Sequence, residues 1–167
     1  VVTANKALIS KYGDQLSQIA EKNNVNLEFE AAVCGGVPII RSIKEGLIAN
    51  KISRIYGIFN GTSNFILSSM DLNKTSFKKT IKEAIKLGYA ESNPSSDING
   101  EDVASKVKIL SSLSFNSFIN HNIHIEGIKD IDVEDIKNTN KLGYKIKLMG
   151  FSEIINNKIY QRVHPTL

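Results

Sequence analysis

The sequence predicts an α+β chain with a mixed, largely antiparallel sheet covered by helices. Two patterns carry this. Segments with apolar residues at helical spacing are separated by short β-branched runs, and the chain closes on two alternating runs joined by Asn156-Asn157. Size adds a third constraint. A chain of 167 residues, 41% hydrophobic and 23% charged, is enough for one ordinary domain with a core. It excludes a disordered tail, a collagen-like repeat and a disulfide scaffold.

The elements follow in order. Val1–Thr3 is expected to end a buried strand. Ile9, Tyr12, Leu16, Ile19 and Ala20 share one face of a helix over Lys6–Lys22, which Asn23-Asn24 ends. Leu27, Phe29, Ala31 and Val33 alternate with Glu28 and Glu30, a strand pattern. Pro38 suits the first turn of a helix running to about Asn50. Ile52–Phe59 is expected as a strand, broken at Asn60-Gly61. Thr62 or Ser63 then caps a short helix with Phe65, Ile66 and Met70. A helix around Phe77–Ile85 stops at Gly88, and Glu91–Gly100 has loop composition. Glu101–Ser114 is helical, His124–Ile128 a strand, and Val133–Leu142 a helix ended by Gly143. Tyr144–Ile155 and Lys158–Val163 form a hairpin.

Charge and cysteine use narrow the function classes. The 21 Lys+Arg against 17 Asp+Glu leave a net charge of +4, dispersed along the chain, which speaks against nucleic-acid binding. The single Cys34 excludes an internal disulfide and a multi-cysteine zinc site, and it suits a reducing compartment. No stretch has the ~18 apolar residues of a membrane span. The chain starts at Val1 rather than Met, so a piece of a longer polypeptide is expected.

The most informative segment is the helix from Glu101. At 100° per residue, Glu101, Ser105, Lys108 and Ser112 form a polar face, opposite Val103, Val107 and Leu110. Asp102 and Lys106 share a stripe with Ile109 and Leu113 beside the apolar face, where charged side chains are rare without partners. The plain reading is an i,i+4 acid–base pair contributing about 0.2–0.5 kcal/mol. The functional reading is a pair at a cleft floor, with the lysine supplying a proton or positive charge to a substrate oxygen and the aspartate positioning it. The preceding loop adds Glu91, Asp97 and Asn99.

Three weaker features remain. Cys34-Gly35-Gly36-Val37-Pro38 would let a ligand approach the backbone, or it is a steric strand-to-helix turn. Lys6 sits unfavourably in a helix's first turn, or it is simply solvated. His121 and His124 stand three apart with no acidic cluster beside them, so a zinc site is not expected. Neither G-x-G-x-x-G nor G-x-x-x-x-G-K-[ST] is present.

Several of these segments carry a family resemblance. V-V-T-A-N-K at Val1–Lys6, E-A-A-V-C-G-G-V-P at Glu30–Pro38 and G-I-F-N-G-T-S-N-F at Gly57–Phe65 resemble homoserine dehydrogenases. So do G-Y-A-E-S-N-P at Gly88–Pro94, D-I-N-G-E-D-V-A-S-K at Asp97–Lys106 and R-V-H-P-T-L at Arg162–Leu167. The resemblance covers nearly the whole chain in the family's order. It implies an NAD(P)-dependent oxidoreductase interconverting L-homoserine and L-aspartate 4-semialdehyde, on the route to threonine and methionine. It further implies a cytoplasmic homodimer.

In that frame residues 1–34 would be the last strand–helix–strand of a Rossmann-type NAD(P)-binding domain. Residues 35–167 would be a substrate-binding, catalytic and dimerisation domain truncated at its C-terminal end. Carried over by position, Lys106 resembles the proton donor to the aldehyde oxygen, and Asp102 would orient substrate and lysine. Lys6 resembles a lysine that touches substrate or cofactor. Glu91, Thr62, Tyr89 and Asp97 match substrate-side positions. Gly35 and Gly36 match cofactor-side positions. Glu30, Val33, Gly35 and Val37 match a loop where some members bind a monovalent cation such as Na+ through backbone carbonyls. Cys34 stands where the family commonly has glycine, and Asn93 where an acidic residue is common. Without the glycine fingerprint, the piece alone is expected to be inactive. The competing expectation is a catalytically silent dimerisation or small-molecule-binding module of the same fold.

Overall fold

The structure, a computed structural model, describes residues 1–117 and 123–167. Its elements are α1 (Lys6–Lys22), a 3₁₀ turn (Glu30–Ala32), α2 (Ile39–Arg41) running into a π turn (Ser42–Gly46), β1 (Arg54–Gly57) and α3 (Gly61–Asn73). Then come α4 (Phe77–Lys86), α5 (Ser95–Ile98), α6 (Glu101–Phe115), β2 (His124–Ile125), α7 (Val133–Lys141), β3 (Lys147–Ile155) and β4 (Lys158–Thr166). The sheet order is β1-β3-β4-β2. β2 runs parallel to β4, pairing His124 with Arg162 and Ile125 with Val163, while β3 and β4 form a hairpin. The sheet is therefore mixed, and the expected α+β class holds. Asn156 and Asn157 turn the hairpin with φ of 50° and 59°, as a two-residue loop of the I′ kind requires.

Helix ends follow local chemistry. Asn5 caps α1 by accepting from the Leu8 N–H at 3.0 Å. At the end of α4, Gly88 has a φ of 79°; its N–H reaches the Ile85 carbonyl at 3.1 Å, and the Tyr89 N–H reaches Ala84 at 2.9 Å. That is a Schellman cap, and a side chain at this φ would cost about 1–2 kcal/mol. The same bonding recurs at Gly143-Tyr144 after α7 and at Asn24-Val25 after α1. Asp132 and Asp135 make a reciprocal capping box at the start of α7.

Contacts divide the chain into two compact units. The first holds residues 1–55, the described part of 105–122, and 151–161. Its apolar side chains include Ile9, Ala32, Val33, Ile40, Val107, Ile109 and Leu110, all buried. Gln161 Nε2 donates to Ser111 Oγ at 2.9 Å. The second holds 56–104, 123–150 and 162–167. There α3 packs on α4 and α7, and Ile66, Leu67, Met70, Val103, Ile128, Leu148 and Val163 are almost wholly buried.

Several expectations are corrected. Leu27–Val33 is not a strand. One parallel bridge pairs Val2 with Glu28, and the chain then turns at Glu30–Ala32. The turn presents the Glu30 carboxylate to the N–H groups of Ile40 and Arg41, both at 2.8 Å, a long-range cap that alternation does not encode. Val1 and Val2 are 76% and 85% exposed rather than buried. The helix expected from Pro38 to about Asn50 shortens to three residues and a π turn closed by Leu47 N–H on the Ser42 carbonyl. The expected strands Ile52–Phe59 and His124–Ile128 contract to Arg54–Gly57 and His124–Ile125. The loop Glu91–Gly100 contains α5. Of the two histidines weighed for zinc, His124 lies on β2, and His121 lies outside the described residues.

A polar network within the second unit ties α3 to α7 and to the chain leading into β3. Asp71 accepts from Lys145, from Asn140 at 2.6 Å and from Lys74 at 3.0 Å. Lys145, then Asn140 and Lys74, hold the Asp71 carboxyl well below the usual carboxylate range, against the opposing effect of burial. Lys147 donates to Asn64 Oδ1 and Ser68 Oγ, each at 2.7 Å. Burial pushes its ammonium below the ordinary lysine value; Asp71 opposes the shift and Lys145 adds to it. A carboxyl lowered in the folded state contributes stability above the ordinary carboxylate pKa and loses it progressively as pH falls from there to the lowered folded value. Asp71→Asn should therefore lower Tm at neutral pH, with the gap to wild type closing in acid. A gap that stays constant from about pH 7 down to about pH 3 would contradict this.

Candidate active site

Asn60 organises the polar site of the second unit. It ends the stretch after β1 in extended backbone, φ −134° and ψ 123°, and its Oδ1 accepts from the Ser63 N–H at 2.7 Å. That is the N-cap of α3, so the expected cap at Thr62 or Ser63 is corrected by two to three residues. The Asn60 amide nitrogen donates to Asp97 Oδ1 at 2.6 Å and to Asp102 Oδ2 at 2.9 Å. Asn60 is 5% and Asp102 6% exposed.

α5 positions Asp97, and Gly100, with a φ of 85°, turns the chain into α6. Asp102 and Glu101 stand in the first turn of α6, where negative charge is favoured. Lys106, which belongs to the first unit, follows one turn later on α6 and is half-buried. Both charges thus sit on the arc beside the apolar face of α6, where Val103, Val107 and Leu110 are buried.

The other substrate-side candidates of this unit flank a cavity. Thr62 Oγ1 donates to the Tyr89 carbonyl at 2.9 Å, and Phe65 stacks on Tyr89 with ring centroids 4.2 Å apart. These residues, with Gly61, Asn64, Ser68 and Gly88, line a cavity of about 550 Å³. Glu91 is exposed on the loop just beyond it in sequence. A second cavity, about 430 Å³, lies in the first unit between α1 and the later turns of α6 and includes none of the candidate residues.

The first unit places the rest. Lys6 is the first residue of α1, half-buried. Cys34 and Gly35 adopt φ of 59° and 56°, and a side chain at Gly35 or Gly36 would meet no atom within 4 Å, which suits close approach of a ligand to this backbone. In the loop expected to bind a cation, the Glu30 carbonyl accepts from the Val33 N–H at 3.2 Å, and its carboxylate is the long-range cap described above. Val37 donates its N–H to the Cys34 carbonyl at 3.1 Å. Among the described residues no group of three or more His, Cys, Asp or Glu is placed to hold a metal, and no helix is long and apolar enough to cross a membrane.

A mixed sheet with helical cover, and an asparagine that joins carboxylates of α5 and α6, define the class: an α+β protein with a polar side-chain cluster centred on Asn60. The sequence pattern of homoserine dehydrogenase matches residues 38–167. The chain belongs to the homoserine dehydrogenase family. It is 49% identical over 168 residues to the homoserine dehydrogenase of Neisseria gonorrhoeae and 43% identical to that of Bacillus subtilis, spanning 39% of the length of each. Among solved structures it resembles a homoserine dehydrogenase from Thiobacillus denitrificans, with 48% identity and a TM-score of 0.96 over 100% of this chain and 39% of that one. A hyperthermophilic archaeal homoserine dehydrogenase in complex with NADPH matches at 34% identity and a TM-score of 0.82, covering 99% of this chain and 47% of that one.

Proposed function

We propose that the protein carrying this chain is a homoserine dehydrogenase, interconverting L-homoserine and L-aspartate 4-semialdehyde with NAD(P) in threonine and methionine biosynthesis. The observation that carries the reading is the Asn60–Asp97–Asp102 network, buried at Asn60 and Asp102, with Asp102 one turn before Lys106 on α6. When bound, the nicotinamide cofactor supplies the hydride to the aldehyde carbon or takes it back. Lys106 gives a proton to the aldehyde oxygen as negative charge develops there, and its ammonium stabilises that charge. In the oxidative direction the same amine accepts the hydroxyl proton. Asp102 holds the lysine and substrate in register, and Glu91 and Asp97 take the substrate's ammonium group. Thr62 and Tyr89 shape the wall beside them, supported by the cavity they line.

Lys6, Gly35 and Gly36 are assigned to the cofactor side, supported by the open backbone at the two glycines. The carbonyls of Glu30, Val33, Gly35 and Val37 are the positions proposed for a monovalent cation, as hard oxygen donors suited to an alkali ion. Residues 1–34 are assigned to the end of the cofactor domain and 35–167 to the substrate and dimerisation domain of a cytoplasmic homodimer.

The test is steady-state oxidation by the full-length protein, with L-homoserine against L-serine and L-threonine, in NAD+ and in NADP+. Reduction of either cofactor dependent on L-homoserine, and weak with the other two, supports the reading. A folded protein that reduces neither cofactor is the silent module instead.

A further inference from the structure

We infer that Asn60 is a positioning residue, whose side-chain amide fixes two substrate-side carboxylates at once. Capping does not account for the residue type. An N-cap needs only a side-chain oxygen, and Ser, Thr and Asp supply it as well as or nearly as well as Asn. What the amide adds is two N–H donors, and the structure directs them to Asp97 at 2.6 Å and Asp102 at 2.9 Å. Asn60 is 5% and Asp102 6% exposed, so water does not substitute readily for the bond between them. Two carboxylates brought to one nitrogen repel each other, and the shared donor offsets that repulsion. Asn60 thereby couples three elements. Its oxygen starts α3 at Ser63, and its nitrogen ties α5 through Asp97 and α6 through Asp102. On the reading above, Asp97 and Asp102 receive the substrate's ammonium group and orient the catalytic lysine, so the amide sets the geometry of the amino-acid end of the site.

The experiment uses the full-length protein and separates the cap from the donors. Asn60→Asp keeps an oxygen for the Ser63 N–H but removes both donors and adds a third negative charge. Asn60→Ser keeps the capping oxygen without added charge, so one variant remains informative if the other folds poorly. Losing hydrogen bonds to charged groups predicts a KM for L-homoserine raised about tenfold to a hundredfold in either variant. The KM for the cofactor should stay near wild type, while Asn60→Ser remains folded with a lowered Tm, because a buried carboxylate loses a donor. A KM for L-homoserine within about twofold of wild type in a folded variant overturns the assignment, as does an equal rise in both KM values. The inference rests on the homoserine reading, and the two fail differently. A wild type inactive on L-homoserine overturns both, whereas an active wild type with unchanged variants overturns the Asn60 assignment alone.

Discussion

Replacing Lys106 with alanine in the full-length protein is expected to lower kcat for L-homoserine oxidation by about a hundredfold to ten-thousandfold, the range lost with a general acid–base group. Stability should change little. Lys106 is half-buried on the second turn of α6, and the helix is held by Val103, Val107 and Leu110, all buried and all untouched by the change. Alanine also has the higher helix propensity. Lys108→Ala is the control, since Lys108 lies on the same helix but lines the first unit's cavity among Ser112, Leu113 and Asn116. Its kcat should stay near wild type. If Lys106→Ala retained near-normal kcat, the proton-donor role would be withdrawn.

Gly127→Ala has the second large effect, through a different mechanism. A Cβ on Gly127 would stand 2.3 Å from the Ile98 carbonyl oxygen and 2.8 Å from Asn99 Cα. These are backbone atoms and cannot rotate away. The Ile128 N–H also bonds that same carbonyl at 2.9 Å, so the segment after β2 is locked onto the end of α5. Forcing them apart should cost about 1–3 kcal/mol or more. It also moves the residue next to Asp97, so the surviving folded protein should show a raised KM for L-homoserine. A Tm and KM both at wild-type values would mean that the close approach does not exist in solution.

Much of the fold was legible in the sequence because much of it is set by local chemistry. The stops at Asn24, Gly88 and Gly143 and the Asn156-Asn157 hairpin depend on one or two residues in left-handed backbone, and those residues announce themselves. The Leu27–Val33 segment failed because its apolar alternation competes with a tertiary bond, the Glu30 carboxylate capping backbone ten and eleven residues on.

The site divides the same way. Asp102 and Lys106 stood out because the helical arc put charge beside the apolar face. Asn60 did not, since its partners lie 37 and 42 residues away and pairing over that distance leaves no periodic trace. The signal that could have found its capping role was present: asparagine leads at N-caps, and it stands directly before Gly61-Thr62-Ser63. Asp71 and Lys147 were missed for the same long-range reason, with partners such as Lys145 and Asn64 lying 74 and 83 residues off.

The central claim is most directly tested in the reductive direction. The full-length protein would be incubated with L-aspartate 4-semialdehyde and NADPH or NADH, and L-homoserine followed by mass spectrometry alongside cofactor oxidation. The account predicts homoserine formed one for one with reduced cofactor consumed, and slowed at least about a hundredfold by Lys106→Ala. A folded protein that consumes neither cofactor and forms no homoserine would contradict it.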